Sequence, residues 1–296
     1  MRTVSISLVQ RGLAYMAAVV VIASGCCMPA VGAEAPDAAF IAAALQQQEN
    51  ASIDVVFTTS DKPTVAPDAK EVTDFMECHY IRTSEALWIK EKFNVSSKEV
   101  AESSYDRASK EQRALTTQQD GRMQAHIRRG GLLVGALQLQ SLLDPVRYPL
   151  SYSLERSAQF LYEWVKYGQV SPEREVVNGH SCWKLEIANA TRTAEKLEIW
   201  VDPDIGYCPR QVDIVRRGIG RIRTQFDDYT EVKPGVWFPR LQVSDLPASG
   251  TSEARIITNR VKELKGGVFD KASLLVKIPS GTPMYIDDAT EPITAP

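Results

Sequence analysis

From Glu173 to Ser244 apolar and polar residues alternate one by one, and turn-forming residues cut the alternation at short intervals. Trp183, Leu185 and Ile187 alternate with Lys184 and Glu186. Leu197 and Ile199 repeat the pattern, Cys208, Val212 and Ile214 line up in the next segment, and Ile222 and Phe226 stand against Arg221, Arg223 and Gln225. A period of two puts one set of side chains on each face of an extended strand. A chain patterned in this way buries its apolar residues by pairing strands and covering one face of the sheet.

The pattern extends in both directions. Ser52 to Ser60, Glu71 to Arg82 and Leu87 to Asn94 read as strands, with a Pro-containing connection from Asp61 to Asp68. Arg113 to Gln119 and Arg122 to Arg129 flank Asp120-Gly121, a two-residue hairpin signal. Asn178-Gly179 is another, between Glu173 to Val177 and His180 to Ala188. Met123, Ala125 and Ile127 alternate with Gln124, His126 and Arg128. Lys196 to Val201 leads into the turn Asp202-Pro203-Asp204-Ile205-Gly206. Trp237, Leu241 and Val243 share a face of Val236 to Ser244 and are expected inward, and a last strand near Arg255 to Leu264 precedes a Pro/Gly-rich tail.

Helical spacing is confined to a few places. Asp37 is placed to cap a helix running to about Gln48, and Gly135 to Leu143 and Leu154 to Tyr167 are the others. In the last, Leu154, Ala158, Leu161 and Val165 form one stripe, widened by Phe160 and Trp164. About ten strands with helices grouped rather than interleaved argue against a doubly wound fold. They predict an α+β fold: a large curved antiparallel sheet, an unclosed β-barrel, with a few helices over its concave face.

The first 33 residues read as an export signal: Arg2 and Arg11, an uncharged run from Gly12 to Ser24, then Val31-Gly32-Ala33 before Glu34. Ala23-Ser24-Gly25-Cys26 resembles a lipobox, which would instead acylate Cys26 and tether the protein to a membrane. Losing Arg2 and Arg11 moves the formal charge from −3 to −5, so no basic stripe for nucleic acid is expected. Cys78, Cys182 and Cys208 remain, an odd number that leaves at least one free thiol. Cys182 reads outward and Cys208 inward two strands away, so that pair is not expected to bridge, whereas Cys78 is open.

The stretch Leu197-Glu198-Ile199-Trp200-Val201-Asp202-Pro203-Asp204-Ile205-Gly206-Tyr207-Cys208-Pro209-Arg210 resembles a recurring segment of the outer-membrane lipoprotein-sorting (LolA/LolB-like) periplasmic carriers. So does Phe226-Asp227-Asp228-Tyr229-Thr230-Glu231-Val232-Lys233-Pro234-Gly235-Val236-Trp237-Phe238-Pro239. The resemblance covers Leu197 to Val243 and implies an unclosed β-barrel with a helical lid over an apolar cavity for acyl chains. It frames residues 34–296 as one such β domain, with a helical insertion near 131–171 and the Pro/Gly-rich tail as departures.

Catalytic and metal chemistry find little support. His79, His126 and His180 lie outside any His-Glu-x-x-His or zinc spacing, and His126 and His180 fall on polar faces. His180 and Cys182 share a strand face without an evident third group. Asp202-x-Asp204-x-Gly206 reads as a turn rather than a calcium loop. Asp227 and Asp228, adjacent on a strand, point apart. The chain is therefore expected to be non-enzymatic, with no cofactor, catalytic residue or metal. It is expected to bind a lipid acyl chain or lipoprotein in the cell envelope, for transport or sensing, against Leu161, Trp164, Val165, Trp183, Leu185, Ile199, Ile222, Phe226, Trp237 and Leu241. Membrane contact would be transient or through a lipidated Cys26. The alternative is an envelope interaction module with a filled core and a protein partner.

Overall fold

The computed structural model describes residues 34–64, 72–93, 98–129, 144–146, 161–188, 194–248, 250, 253–287, 289 and 291–296. The chain enters through helix α1 (Ala38–Glu49), then β1 (Ile53–Pro63), β2 (Val72–Arg82) and β3 (Ala86–Phe93). Next come β4 (Val100–Asp106), β5 (Glu111–Thr117) and β6 (Met123–Arg128), then the short helix α2 (Leu161–Val165). Five strands follow: β7 (Gln169–Val177), β8 (His180–Ala188), β9 (Ala194–Asp202), β10 (Cys208–Arg216) and β11 (Gly220–Lys233). β12 (Val236–Leu246), β13 (Arg255–Gly266), helix α3 (Lys271–Leu274), β14 (Pro283–Ile286) and β15 (Ile293–Thr294) complete the order.

The fifteen strands of the described residues belong to one sheet, in the order β15-β14-β6-β5-β4-β3-β2-β1-β13-β12-β11-β10-β9-β8-β7. β7 and β15 do not pair with each other, so the sheet is unclosed. Among the described residues every pairing is antiparallel except that of β14 with β6, which is parallel. The α+β expectation holds, with more strands than the pattern suggested. β4 is one addition. Its Ser103 and Ser104 are buried where alternation looks for apolar residues, and the Ser104 Oγ accepts the Val276 amide at 2.9 Å. The tail supplies the others, β14 and β15.

Turn chemistry explains the hairpins. Asn178 and Gly179 adopt φ of 49° and 83°, and Val177 pairs directly with His180. This is the twist-matched two-residue connection. Asp120-Gly121 is wider than expected, because the last paired residues are Thr117 and Met123. Gly121 alone is left-handed there (φ 84°), and the Asp120 carboxylate accepts the Arg122 amide.

α1 begins where the sequence places it, with the Asp37 side chain accepting the Phe40 amide at 2.6 Å. Its other end is fastened to the sheet by buried polar groups. Arg82, 1% exposed, donates to Gln48 O at 2.8 Å and to both oxygens of Asp144 at 2.6 Å. Tyr80 adds a bond to Asp144 at 3.1 Å. Burial alone would favour a neutral guanidinium, but Asp144 beside it holds the Arg82 pKa above its ordinary value. Arg107 clasps Glu49, and the Gln48 amide bridges Gly235 O and Trp237 N.

Residues 131–143 and 147–160 lie outside the described residues, and with them the helix expected at Gly135 to Leu143 and most of that at Leu154 to Tyr167. The described end of the latter is α2, which stops at Val165, two residues short of the expected Tyr167, and β7 starts at Gln169. Among the described residues no helix is long and apolar enough to cross a membrane.

Candidate functional site

Strand register turns the alternation into rows of side chains across one face of the sheet. Ile187, Leu197, Ile214 and Ile222 form one row from β8 to β11, each paired with the next. Leu185, Ile199 and Val212 form a second, and Trp183 beside Val201 begins a third. All of these are 5% exposed or less. Fully burying one such side chain contributes about 1.5–3 kcal/mol, so these rows are a principal source of the fold's stability.

α2 presses on the end of these rows. Leu161, Trp164 and Val165 are buried, and α2 packs on both α1 and β8. Gly168 permits the approach: a Cβ there would sit 3.1 Å from Val165 O and 3.3 Å from Ile187 Cγ1. Eight of the ten residues expected to line the site are thus buried: Leu161, Trp164, Val165, Trp183, Leu185, Ile199, Ile222 and Phe226.

Trp237 and Leu241 depart from the expected face. Both are half-buried and alternate along β12 with the fully buried Phe238 and Gln242. Gln242 pairs with Phe226, so Phe238, Gln242 and Ser244 take the inner side and Trp237, Leu241 and Val243 the other. Sequence reasoning also left out the second half of the inner face. Ile53, Val55 and Phe57 of β1, Cys78 of β2, Leu87 and Ile89 of β3, and Phe238 form one buried cluster.

Polar residues cross the middle of this apolar surface. Thr59 donates to Asn259 Oδ1 (2.7 Å), Asn259 Nδ2 to Gln242 Oε1 (2.8 Å), and Gln242 Nε2 to Ser244 Oγ (3.2 Å). Ser244 and Thr224 hydroxyls meet at 2.9 Å. All five are at most 3–4% exposed, and Thr224 and Gln242 are wholly buried.

The opposite face carries an ion ladder over β8 to β11. Lys184 and Lys196 each contact Glu186 and Glu198 at 2.8–2.9 Å, and Asp213 receives Arg221 and Arg223. Bonds from Lys184 and Lys196 depress the Glu186 pKa to about 2.

The candidate reactive groups are spoken for. Burial first, and Asp202 second, push the Cys182 thiol up to about 12, so it is neutral near pH 7. Its Sγ lies 3.6 Å from the His180 backbone oxygen. Asp202 does stand near His180, with Oδ2 3.6 Å from Nδ1, a neighbour that alternation did not reveal. That carboxylate is already held by Arg210 at 2.9 Å, and its other oxygen accepts the Asp204 amide. The Asp202 to Gly206 segment is a 3₁₀ turn with Gly206 left-handed at φ 66°. Cys78, Cys182 and Cys208 are all free and buried. Burial raises the thiols of Cys78 and Cys208 as well. His79 bonds Asp54 at 2.7 Å, and the exposed His126 stacks on Tyr285. A separate open depression of about 550 Å³ between α1 and the β11–β12 turn, lined by Gln46, Gln47, Asn50 and Lys233 among others, belongs to the surface.

No protein-family model and no curated protein matches the sequence. Among solved structures, a LolA superfamily protein from Nitrosomonas europaea is similar at 14% identity and a TM-score of 0.43, over 82% of this chain and 99% of that one. A DUF1329 family protein from Desulfovibrio piger is similar at 15% identity and a TM-score of 0.42, over 80% and 97%. An outer membrane lipoprotein-sorting protein domain from Vibrio parahaemolyticus is similar at 12% identity and a TM-score of 0.42, over 80% and 95%. Identities this low and TM-scores below 0.5 speak to neither ligand nor activity.

Proposed function

We propose that this protein binds an acyl chain or a similar apolar ligand non-covalently against the inner face of its sheet, as a carrier or sensor in the cell envelope. The observation that supports it most is a mismatch of areas. Fifteen strands spaced by about 4.8 Å make a sheet roughly 65 Å across, whereas a helix covers about 10 Å. Among the described residues the helices α1, α2 and α3 have twelve, five and four residues, and the apolar inner rows extend beyond the footprints of these three. An acyl chain gains about 0.8 kcal/mol for each CH₂ taken from water, which needs no reactive group. The buried, protonated thiols fit that absence of chemistry.

The wall on this reading is Trp183, Leu185, Ile199, Ile222 and Phe226 of the sheet with Leu161, Trp164 and Val165 of α2. Export through residues 1–33, a periplasmic place, and membrane contact that is transient or through an acylated Cys26 complete the proposal. Protein purified without detergent should release acyl lipids on solvent extraction, read by mass spectrometry. After delipidation it should raise the fluorescence of N-phenyl-1-naphthylamine. Leu185→Gln, which sets an amide into the wall, should weaken that signal, while Leu241→Gln on the opposite face should not. A folded, delipidated protein that leaves the dye dark would end the proposal.

A further inference from the structure

We infer that the polar chain Thr59–Asn259–Gln242–Ser244–Thr224 is a recognition stripe for the neutral ester or amide linkage of an acyl lipid. The inference rests on the acyl-binding reading and specifies its ligand.

The stripe runs over four adjacent strands, β1, β13, β12 and β11, and so extends roughly 14 Å across the sheet. Apolar residues close both ends: Thr224 pairs with Val212, and Thr59 with Met76. Phe226 pairs with Gln242, putting an aromatic ring directly beside the amides. Burying five polar side chains in an apolar face costs free energy that hydrogen bonds among them only offset. An apolar ligand alone gives the stripe nothing further to bond.

Its bonding capacity defines what does. Each amide NH₂ has two hydrogens. Asn259 uses one on Gln242 and Gln242 one on Ser244, so each keeps one N–H to offer. Two neighbouring donors suit the carbonyl oxygens of an ester or amide. None of the five side chains is cationic, so a buried free carboxylate would lack a counter-charge, which is costly. The order expected is acylglycerol above free fatty acid, and acylglycerol above the alkane.

The test uses the delipidated full chain loaded with N-phenyl-1-naphthylamine. The dye is displaced by an acylglycerol, the free acid and the n-alkane of one chain length. The acylglycerol is expected to displace at about tenfold lower concentration than either, the equivalent of two modest hydrogen bonds. Asn259→Leu combined with Gln242→Leu should erase that preference while leaving dye binding intact, and Gln242→Met alone should reduce it if the pair does not fold. Should the wild type bind dye yet take alkane or acid as readily as the ester, the stripe only fixes strand register and the inference fails alone. Should the dye not bind, the acyl-binding reading itself fails. A folded variant that keeps the preference also overturns the inference.

Discussion

The two wings of the sheet are built by the same pairing and held by different forces. In β8 to β11 the inner rows are buried, and even the opposite face hides Asp213 and Glu198 beneath arginines and lysines. In β5 the single buried residue is Gln112, and in β6 it is Ala125. Backbone pairing sets the register throughout, but burial supplies strength to β8 to β11 and little to β5 and β6. The weak wing ends in a device instead. β14 returns from the tail to cover the open edge of β6, and an uncovered edge is an invitation to aggregate.

Mutations can break this contrast. The largest effect should come at the junction, where Arg82→Leu leaves Asp144 buried without its cationic partner, bonded by Tyr80 alone among the side chains described. About 4 kcal/mol should be lost in urea denaturation, and Arg82→Leu with Asp144→Leu should recover much of it. Next, Ile199→Ala in the strong wing should cost about 3 kcal/mol, against less than about 1 kcal/mol for Leu115→Ala in half-buried β5. Equal losses would dissolve the distinction. Met284→Asp should loosen only the capped edge, with amide exchange in β6 about tenfold faster and that in β8 and β9 unchanged.

The smallest effect concerns the ion ladder. Glu186 has a folded pKa of about 2 against an ordinary 4.5, so its contribution is present above pH 4.5 and disappears as pH falls through about 2. Its side chain is 41% exposed, and solvent screening reduces the contribution to about 0.5 kcal/mol. Stability of Glu186→Gln should trail the wild type by that amount near pH 6 and match it near pH 2.

The strong wing was legible in the sequence because each of its strands has one apolar and one charged face; β8 spans His180 to Ala188 as the pattern predicts. β12 was misjudged for a physical reason. Its odd positions, Trp237, Leu241 and Val243, are the more apolar set, yet Phe226 opposite Gln242 fixes which side is inner. Register belongs to the pair of strands, and a single strand's composition can oppose it. The stripe was hidden by the same logic, since Gln242 and Asn259 read as solvent-facing until their bonds to each other are seen. β14 was hidden because its parallel partner lies far upstream, and nothing local encodes such a pairing.

β1 lies at the centre of the sheet, yet its two neighbours come from opposite ends of the molecule: β2 follows at once, and β13 only near Gly266. During synthesis one hydrogen-bonding edge of β1 therefore waits while almost the whole chain is made. Closing so large a loop is slow, and the two halves must each remain soluble until β13 joins them. The ribosome delivers the keystone of this sheet almost last.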